Sequence, residues 1–311
     1  MCEPENWLST QIREYEKEEA AAPTHFPKRS DGSMYEIHDL ERDQQQISGA
    51  IFEKLREWVE CADYSTFKPL RMIVNGAGGS GKSVLLNTSI TAIRRMFDSN
   101  NVARVVAPTG ASAANVKGPT LHSLFTISTS SNDYKPGSMT SQQKKDMVKK
   151  FGVLLALICD ERSLLSSRVL GTAEQKLQET IYNGFLSHIE WGGLPILILI
   201  GDDFQLPPVE EGALSALCRV DGGAMVRKGR ATFKKCAKYV TELLGNKRVG
   251  NRVHDRELLQ RLRLGDENLL DEDVNRLLNL HIDTYKKSME KRKHRKLETS
   301  QYISSFEMNQ G

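Results

Sequence analysis

Residues 71–88 read RMIVN, GAGGSGKS, VLLNT: a short apolar run, a glycine-rich loop and the start of a helical pattern. The run before the loop is apolar and partly β-branched, which predicts a strand, and the residues after it carry the period of a helix. Between them Gly76, Gly81, Lys82 and Ser83 match G-x-x-x-x-G-K-[ST], with extra glycines at Gly78 and Gly79. Glycines let successive N–H groups turn inward around phosphate oxygens, and the helix start adds partial positive charge at the same place. Gly76, Ala77, Gly78, Gly79, Ser80, Gly81, Lys82, Ser83 and Val84 are therefore the expected nucleotide-binding residues. Lys82 is expected to reach the β- and γ-phosphates and Ser83 to ligate Mg²⁺, a hard cation that takes hydroxyl and carboxylate oxygens. A structural glycine turn is the alternative, and the strand-to-helix context argues against it. The expected ligand is a nucleoside triphosphate, with ATP first.

Outward from this loop, further apolar runs alternate with helical patterns. ARVVAP (103–108), VLLALICDE (153–161), LPILILIGDD (194–203) and KYVTELL (238–244) read as strands, the middle two buried in a parallel sheet. Ile47, Ile51, Leu55 and Trp58 repeat at helical spacing in residues 40–60, and VHDRELLQRLRLG (253–265) is a further helical stretch. The fold class is α/β: a P-loop NTPase with a RecA-like, doubly wound parallel sheet and flanking helices. In such sheets ligands bind at the carboxyl ends of the strands. The acids ending CDE are thus placed for chemistry: Asp160 to hold Mg²⁺, Glu161 to polarise the attacking water. Capping the next helix is the plainer role open to that pair. In ILIGDDFQLPPV, Asp202 and Gln205 lie just past another strand end. There the Gln205 amide can sense the γ-phosphate, and Pro207 and Pro208 stiffen the exit.

The 311 residues carry a net charge of +3 and 39% hydrophobic side chains, the profile of a globular protein without a membrane-length apolar run. The five cysteines are scattered, with no metal-binding cluster, and are expected to be reduced. The first twenty residues lack the pattern of a secretory signal, so an intracellular home is expected. Residues 1–38 read as a flexible polar leader, 39–245 as the ATP-binding domain, 246–280 as the start of an incomplete second domain and 281–311 as a basic, disordered tail. Residues 126–150 have the composition of an exposed insertion ending in a short helix. KKSMEKRKHRK (286–296) is a phosphate-contacting or nuclear-import patch, or a solvated frayed helix.

In order along the chain stand LERDQ, GAGGSGKS, APTGASAANVKGPTLHSLF, CDERSLL, WGGLPILILIGDDFQLPPV, and LLGNKRV with LLQRLRLG. From Leu40 to about Leu278 the chain resembles the petite-integration-frequency (Pif-like) type of ATP-dependent DNA helicase, in the RecD-like branch of superfamily 1. GDDFQLPPV together with TGASAANVKGPTLHSLF is the discriminating pair. The resemblance implies that Gln44 reads the adenine edge, with Gln45 and Gln46 as alternatives, and that Arg248 reaches the γ-phosphate. It implies that Thr109, Gly110, Thr120, His122 and Ser123 lie along a single-stranded DNA path. It also implies that residues 126–150 form a duplex-splitting wedge and that movement is 5′ to 3′. Single-stranded DNA and duplex junctions would be the partners and a monomer the working state. The setting would be nuclear or mitochondrial repair, recombination or telomere maintenance. The remaining second-domain motifs are not found, so the resemblance implies a chain truncated before that domain is complete. Arg162 stands where the family has a small or apolar residue. A single-lobe module that binds ATP and single-stranded DNA without unwinding is the competing reading, and a nucleotide kinase a third.

Overall fold

The computed structural model describes residues 35–128, 134–180, 189–202, 204–205, 208 and 222–245, and further on 254, 257–258, 261, 270–275 and 279. The chain divides into two compact units, Met1–Arg248 and Val249–Gly311. Most of the expected leader, the tail with its 286–296 basic run, and Arg248 lie outside the described residues.

The first unit is built on five parallel strands: β1 (Leu70–Gly76), β2 (Ala103–Val106), β3 (Ala156–Cys159), β4 (Ile196–Gly201) and β5 (Val240–Leu243). Their spatial order is β2-β3-β4-β1-β5. Strands connected in parallel need crossovers, and helices supply them. α1 (Arg42–Glu60) precedes β1, and α2 (Lys82–Met96) joins β1 to β2. The short helices α3 (Gly110–Asn115) and α4 (Leu121–Phe125) and the longer α5 (Ser141–Phe151) stand between β2 and β3. α6 (Ser167–Thr180) follows β3, and α7 (Ala224–Cys236) leads into β5. All predicted strands are present, each trimmed at its ends except the first, which gains a residue at either end.

The sheet is apolar on both faces, so its strands read as unbroken hydrophobic runs. Leu70, Met72, Val74, Ile196, Ile198 and Ile200 face one core with α1 and α2. Ile73, Leu197 and Leu199 face the other with α4 to α7. In α1 the buried residues Ile47, Ile51, Leu55 and Trp58 form one stripe, and Ser48 adds a buried hydroxyl contact to Ser89 of α2 at 3.0 Å. The segment before β3 ends in the expected short helix, and most of its described residues are exposed. α5 is polar outward, but its Met147 and Phe151 are buried, and the Phe151 ring stacks on Phe125 at 4.7 Å between centroids. Two apolar residues a helical turn apart in a lysine-rich stretch are a thin periodic signal, and packing decided the outcome.

In the second unit Arg261 makes a bidentate pair with buried Asp273, at 2.6 and 2.7 Å, and Asp273 also accepts the Leu270 N–H at 3.1 Å. Among the described residues no helix is long and apolar enough to cross a membrane.

α6 and α7 touch backbone to backbone: a Cβ on Gly229 would lie 1.8 Å from the Ser167 carbonyl oxygen. Gly229→Ala is expected to lower stability by about 1–3 kcal/mol through overpacking. Gly49→Ala, on the exposed side of α1 with open space around it, is expected to raise stability by about 0.5–1 kcal/mol. Urea unfolding midpoints of both variants check the pair.

Candidate nucleotide site

The residues singled out in the sequence converge on the carboxyl edge of the sheet. β1 ends at Gly76 and α2 begins at Lys82, so the loop between them turns at the strand-to-helix junction that the motif requires. Gly79 and Gly81 have φ of 90° and 88°, in the region that glycine alone visits freely. A Cβ at Gly81 would also lie 2.3 Å from Nε2 of Gln44, so that amide would have to move aside. Lys82 folds back over the loop, its Nζ donating to the carbonyls of Gly76 at 2.7 Å and Ala77 at 3.1 Å. The Ser80 hydroxyl is buried in the loop without a hydrogen-bond partner, and Ser83 is exposed in the first turn of α2. The loop therefore offers a hydroxyl and one ammonium beside the start of α2, a set that suits a polyphosphate.

Next to β1 across β4 lies the end of β3, with the paired acids. Asp160 is 7% exposed, and burial raises its pKa, assisted by the neighbouring Glu161 charge. The Glu161 N–H donates to Asp160 Oδ1 at 2.9 Å and, with the Lys82 ammonium, pulls the pKa partly back. Glu161 itself sits at φ 51°, ψ 47°, a left-handed conformation that costs a residue with a side chain about 1–3 kcal/mol. Its Oε2 is buried and makes no hydrogen bond. The plainer reading as a helix cap has a partial counterpart. Glu161 precedes a single 3₁₀ turn, Arg162–Leu164, yet its side chain makes no cap hydrogen bond.

The third element is shorter in view. Asp202, at the end of β4, is 5% exposed and organises the following turn, accepting the Phe204 N–H at 3.1 Å through Oδ1 and the Gln205 N–H at 3.1 Å through its carbonyl. Gln205 is exposed beyond it; Asp203, Leu206 and Pro207 lie outside the described residues. Gln44 is 2% exposed, and its amide lies against the loop, Nε2 donating to the carbonyls of Gly81 at 3.4 Å and Ser80 at 3.5 Å. In this conformation it braces the loop. Gln45 instead holds the His38 and Leu40 carbonyls, and Gln46 is exposed.

At the end of β2 the hydroxyls of Thr109 and Thr120 cap α3 and α4, accepting from Ser112 N at 3.2 Å and Ser123 N at 3.0 Å. A bridge between Ala107 and Thr120 brings the two turns together. Thr109, Gly110 and Ser123 are exposed and His122 is half-buried. Sequence reading did not single out Asn75, a polar residue one before the end of β1. Its side chain accepts a hydrogen bond from Arg162.

Fold and site together define a P-loop nucleotide-binding domain with a phosphate loop facing paired acids. The PIF1-like helicase family model matches residues 40–254, more than half of the chain, and the chain belongs to that family. Among curated proteins it is 32% identical over 136 residues to the ATP-dependent DNA helicase PIF1 of Saccharomyces cerevisiae, covering 44% of this chain and 15% of that one. It is 30% identical over 143 residues to the ATP-dependent DNA helicase Pif1 of Campylobacter jejuni, covering 44% and 29%. A solved structure concerning DNA unwinding at forked dsDNA by two coordinating Pif1 helicases aligns at 25% identity with a TM-score of 0.53, over 76% of this chain and 51% of that one. The Pif1 helicase of Candida albicans has the same fold, with a TM-score of 0.55 at 22% identity, over 78% and 47%. The chain thus spans about half the length of these solved structures and less than a third of these curated relatives.

Because burial raises the Asp160 pKa, the folded chain holds that proton above the pH where the unfolded chain has lost it. Stability is therefore expected to fall as pH rises through that window, and the penalty of a desolvated charge persists above it. Asp160→Asn is expected to raise the thermal midpoint of the nucleotide-free protein at neutral pH and to flatten this pH dependence. Differential scanning calorimetry across pH checks both.

Proposed function

We propose that this chain is the ATP-hydrolysing lobe of a Pif1-type DNA helicase, coupling hydrolysis to movement along single-stranded DNA and to opening of duplex junctions. The observation that carries the reading is the meeting at one sheet edge of Lys82 with Asp160 and Glu161, the last holding a buried carboxylate oxygen without a hydrogen-bond partner. In a packed interior such an oxygen costs about 1–3 kcal/mol. A donor that arrives with the substrate repays it, and the attacking water is that donor.

The chemistry then follows from the residues present. The loop N–H groups and the Lys82 ammonium bind the β- and γ-phosphates, for which Lys82 gives up its bonds to the Gly76 and Ala77 carbonyls. Ser83, with an exposed hydroxyl, and Asp160, whose Oδ2 is left over once Oδ1 has taken the Glu161 N–H, are the hard oxygen donors that suit Mg²⁺, which would neutralise phosphate charge there. Glu161 orients the water and accepts its proton as the γ-phosphoryl group leaves. Gln44, Gln205 and Arg248 complete the site in this reading: Gln44 turning from the loop to the base, Gln205 sensing the γ-phosphate, and Arg248 contacting it, by family resemblance.

The DNA path runs over the turns of Thr109, Gly110, Thr120, His122 and Ser123, whose hydroxyls and backbone groups suit phosphate oxygens. The 126–150 segment serves as the wedge, and the burial of Met147 and Phe151 supports this by giving its helix a firm seat. Movement is 5′ to 3′, by family resemblance, and the protein works as a monomer in a DNA-containing compartment, nucleus or mitochondrion. The relatives it resembles are named DNA helicases, one at forked dsDNA.

Three outcomes are expected. Single-stranded DNA stimulates ATP turnover by the purified chain; nucleotide binding without stimulated turnover would instead indicate a single-lobe ATP- and DNA-binding module. Lys82→Ala weakens binding of a fluorescent ATP analogue by at least about 10- to 100-fold, the worth of a charge-assisted hydrogen bond or two. Glu161→Gln binds that analogue as the parent does while turnover falls about 10²- to 10⁴-fold.

A further inference from the structure

Arg162 is the residue after the paired acids, and its guanidinium does not reach solvent: the residue is 2% exposed. From the end of β3 its side chain crosses β4 and donates through Nη2 to the side-chain oxygen of Asn75 on β1. The crossing is possible because Gly201 lies in the way without a side chain. Gly201 is the residue of β4 in register with Asn75, and a Cβ there would fall 2.8 Å from Arg162 Cγ and 2.9 Å from Arg162 N. The guanidinium also lies over the Phe233 ring of α7, with Cζ 5.8 Å from the ring centroid.

The two ends of this bridge are both in the nucleotide site. On one side the Arg162 backbone continues from Glu161, the strained residue at φ 51°. On the other, Asn75 is followed by Gly76, whose carbonyl accepts from Lys82. A short path therefore runs from the proposed water-activating acid to the proposed phosphate-binding ammonium, through the Arg162–Asn75 hydrogen bond. Burying a guanidinium is costly unless it is well paired, so its place here is more than a filled gap.

We propose that Arg162, through Asn75, is a positioning residue that sets the Asp160–Glu161 turn at a fixed place relative to the phosphate loop. The inference rests on the proposed reading of the same site. In this role Arg162 acts through Asn75 and the Glu161 turn, not by contact with the nucleotide. Its effect falls on whatever needs the acids and the loop in register, above all a metal ion shared between Ser83 and Asp160, and much less on the loop's own hold on phosphate.

The test is binding of a fluorescent ATP analogue to the whole chain, with Mg²⁺ and with EDTA, for the parent, Arg162→Ala, Arg162→Lys, Asn75→Ala and the double alanine variant. In the parent, Mg²⁺ tightens binding. Arg162→Ala and Asn75→Ala are each expected to lose at least about fivefold of that gain, with the affinity in EDTA changed less than about twofold. The double variant should lose no more than the single ones, since they break the same link. Arg162→Lys should keep part of the gain. If Arg162→Ala fails to fold, Asn75→Ala, which leaves a smaller defect, decides the matter. An unchanged Mg²⁺ gain, an equal loss in EDTA, or independent losses that multiply in the double variant would overturn the proposal. ATP turnover is measured alongside: a parent that binds Mg·ATP without hydrolysing it sinks the proposed activity, while the positioning role still stands or falls on the Mg²⁺ gain.

Discussion

One ammonium and two carboxylates share the carboxyl edge of a parallel sheet, and the rest of the first unit can be understood as what holds them there. Charges of both signs brought out of water repel, attract and lose hydration together. A rigid sheet is what keeps the distances from relaxing. Parallel strands end on the same side, so β1 and β3 deliver the phosphate loop and the paired acids to one line, with β4 as the spacer between them. The two apolar faces and their covering helices exist to keep that sheet buried and unbent.

Several features of this edge are costly in themselves. Asp160 carries a raised pKa from burial, Glu161 holds a left-handed backbone, its outer oxygen is buried without a hydrogen bond, and Lys82 is turned onto loop carbonyls. In the proposed reading each would be relieved by something a nucleotide brings: a cation, a water, a phosphate. Strain kept at a site in this way is a common form of preorganisation. It also explains why the supports are firm, with Gln44 against Ser80 and Gly81, and Arg162 against Asn75 and Phe233.

Much of this was legible in the residues. The phosphate loop announces itself because its chemistry forbids side chains, which leaves glycines at fixed spacing. The acids are legible because an apolar strand that ends in CDE must place them at its tip. What escaped was contact made by tertiary packing. Nothing in QQQ distinguishes the Gln44 amide that braces the loop from Gln45, which holds the chain before α1. Asn75 and Arg162 lie far apart in sequence and are joined only because Gly201 lets a side chain pass. In the helix Ser141–Phe151 the two residues that seat it, Met147 and Phe151, are a thin signal among lysines and glutamines that face outward.

The most direct measurement is a crystal structure of the chain with Mg²⁺ and a non-hydrolysable ATP analogue. The expected result is a triphosphate wrapped by residues 76–83, with Lys82 Nζ moved from the Gly76 and Ala77 carbonyls onto phosphate oxygens. An ordered water would then lie within hydrogen-bond reach of Glu161. A nucleotide bound elsewhere, or one in the loop with Lys82 still on those carbonyls and Glu161 still without a partner, would contradict it.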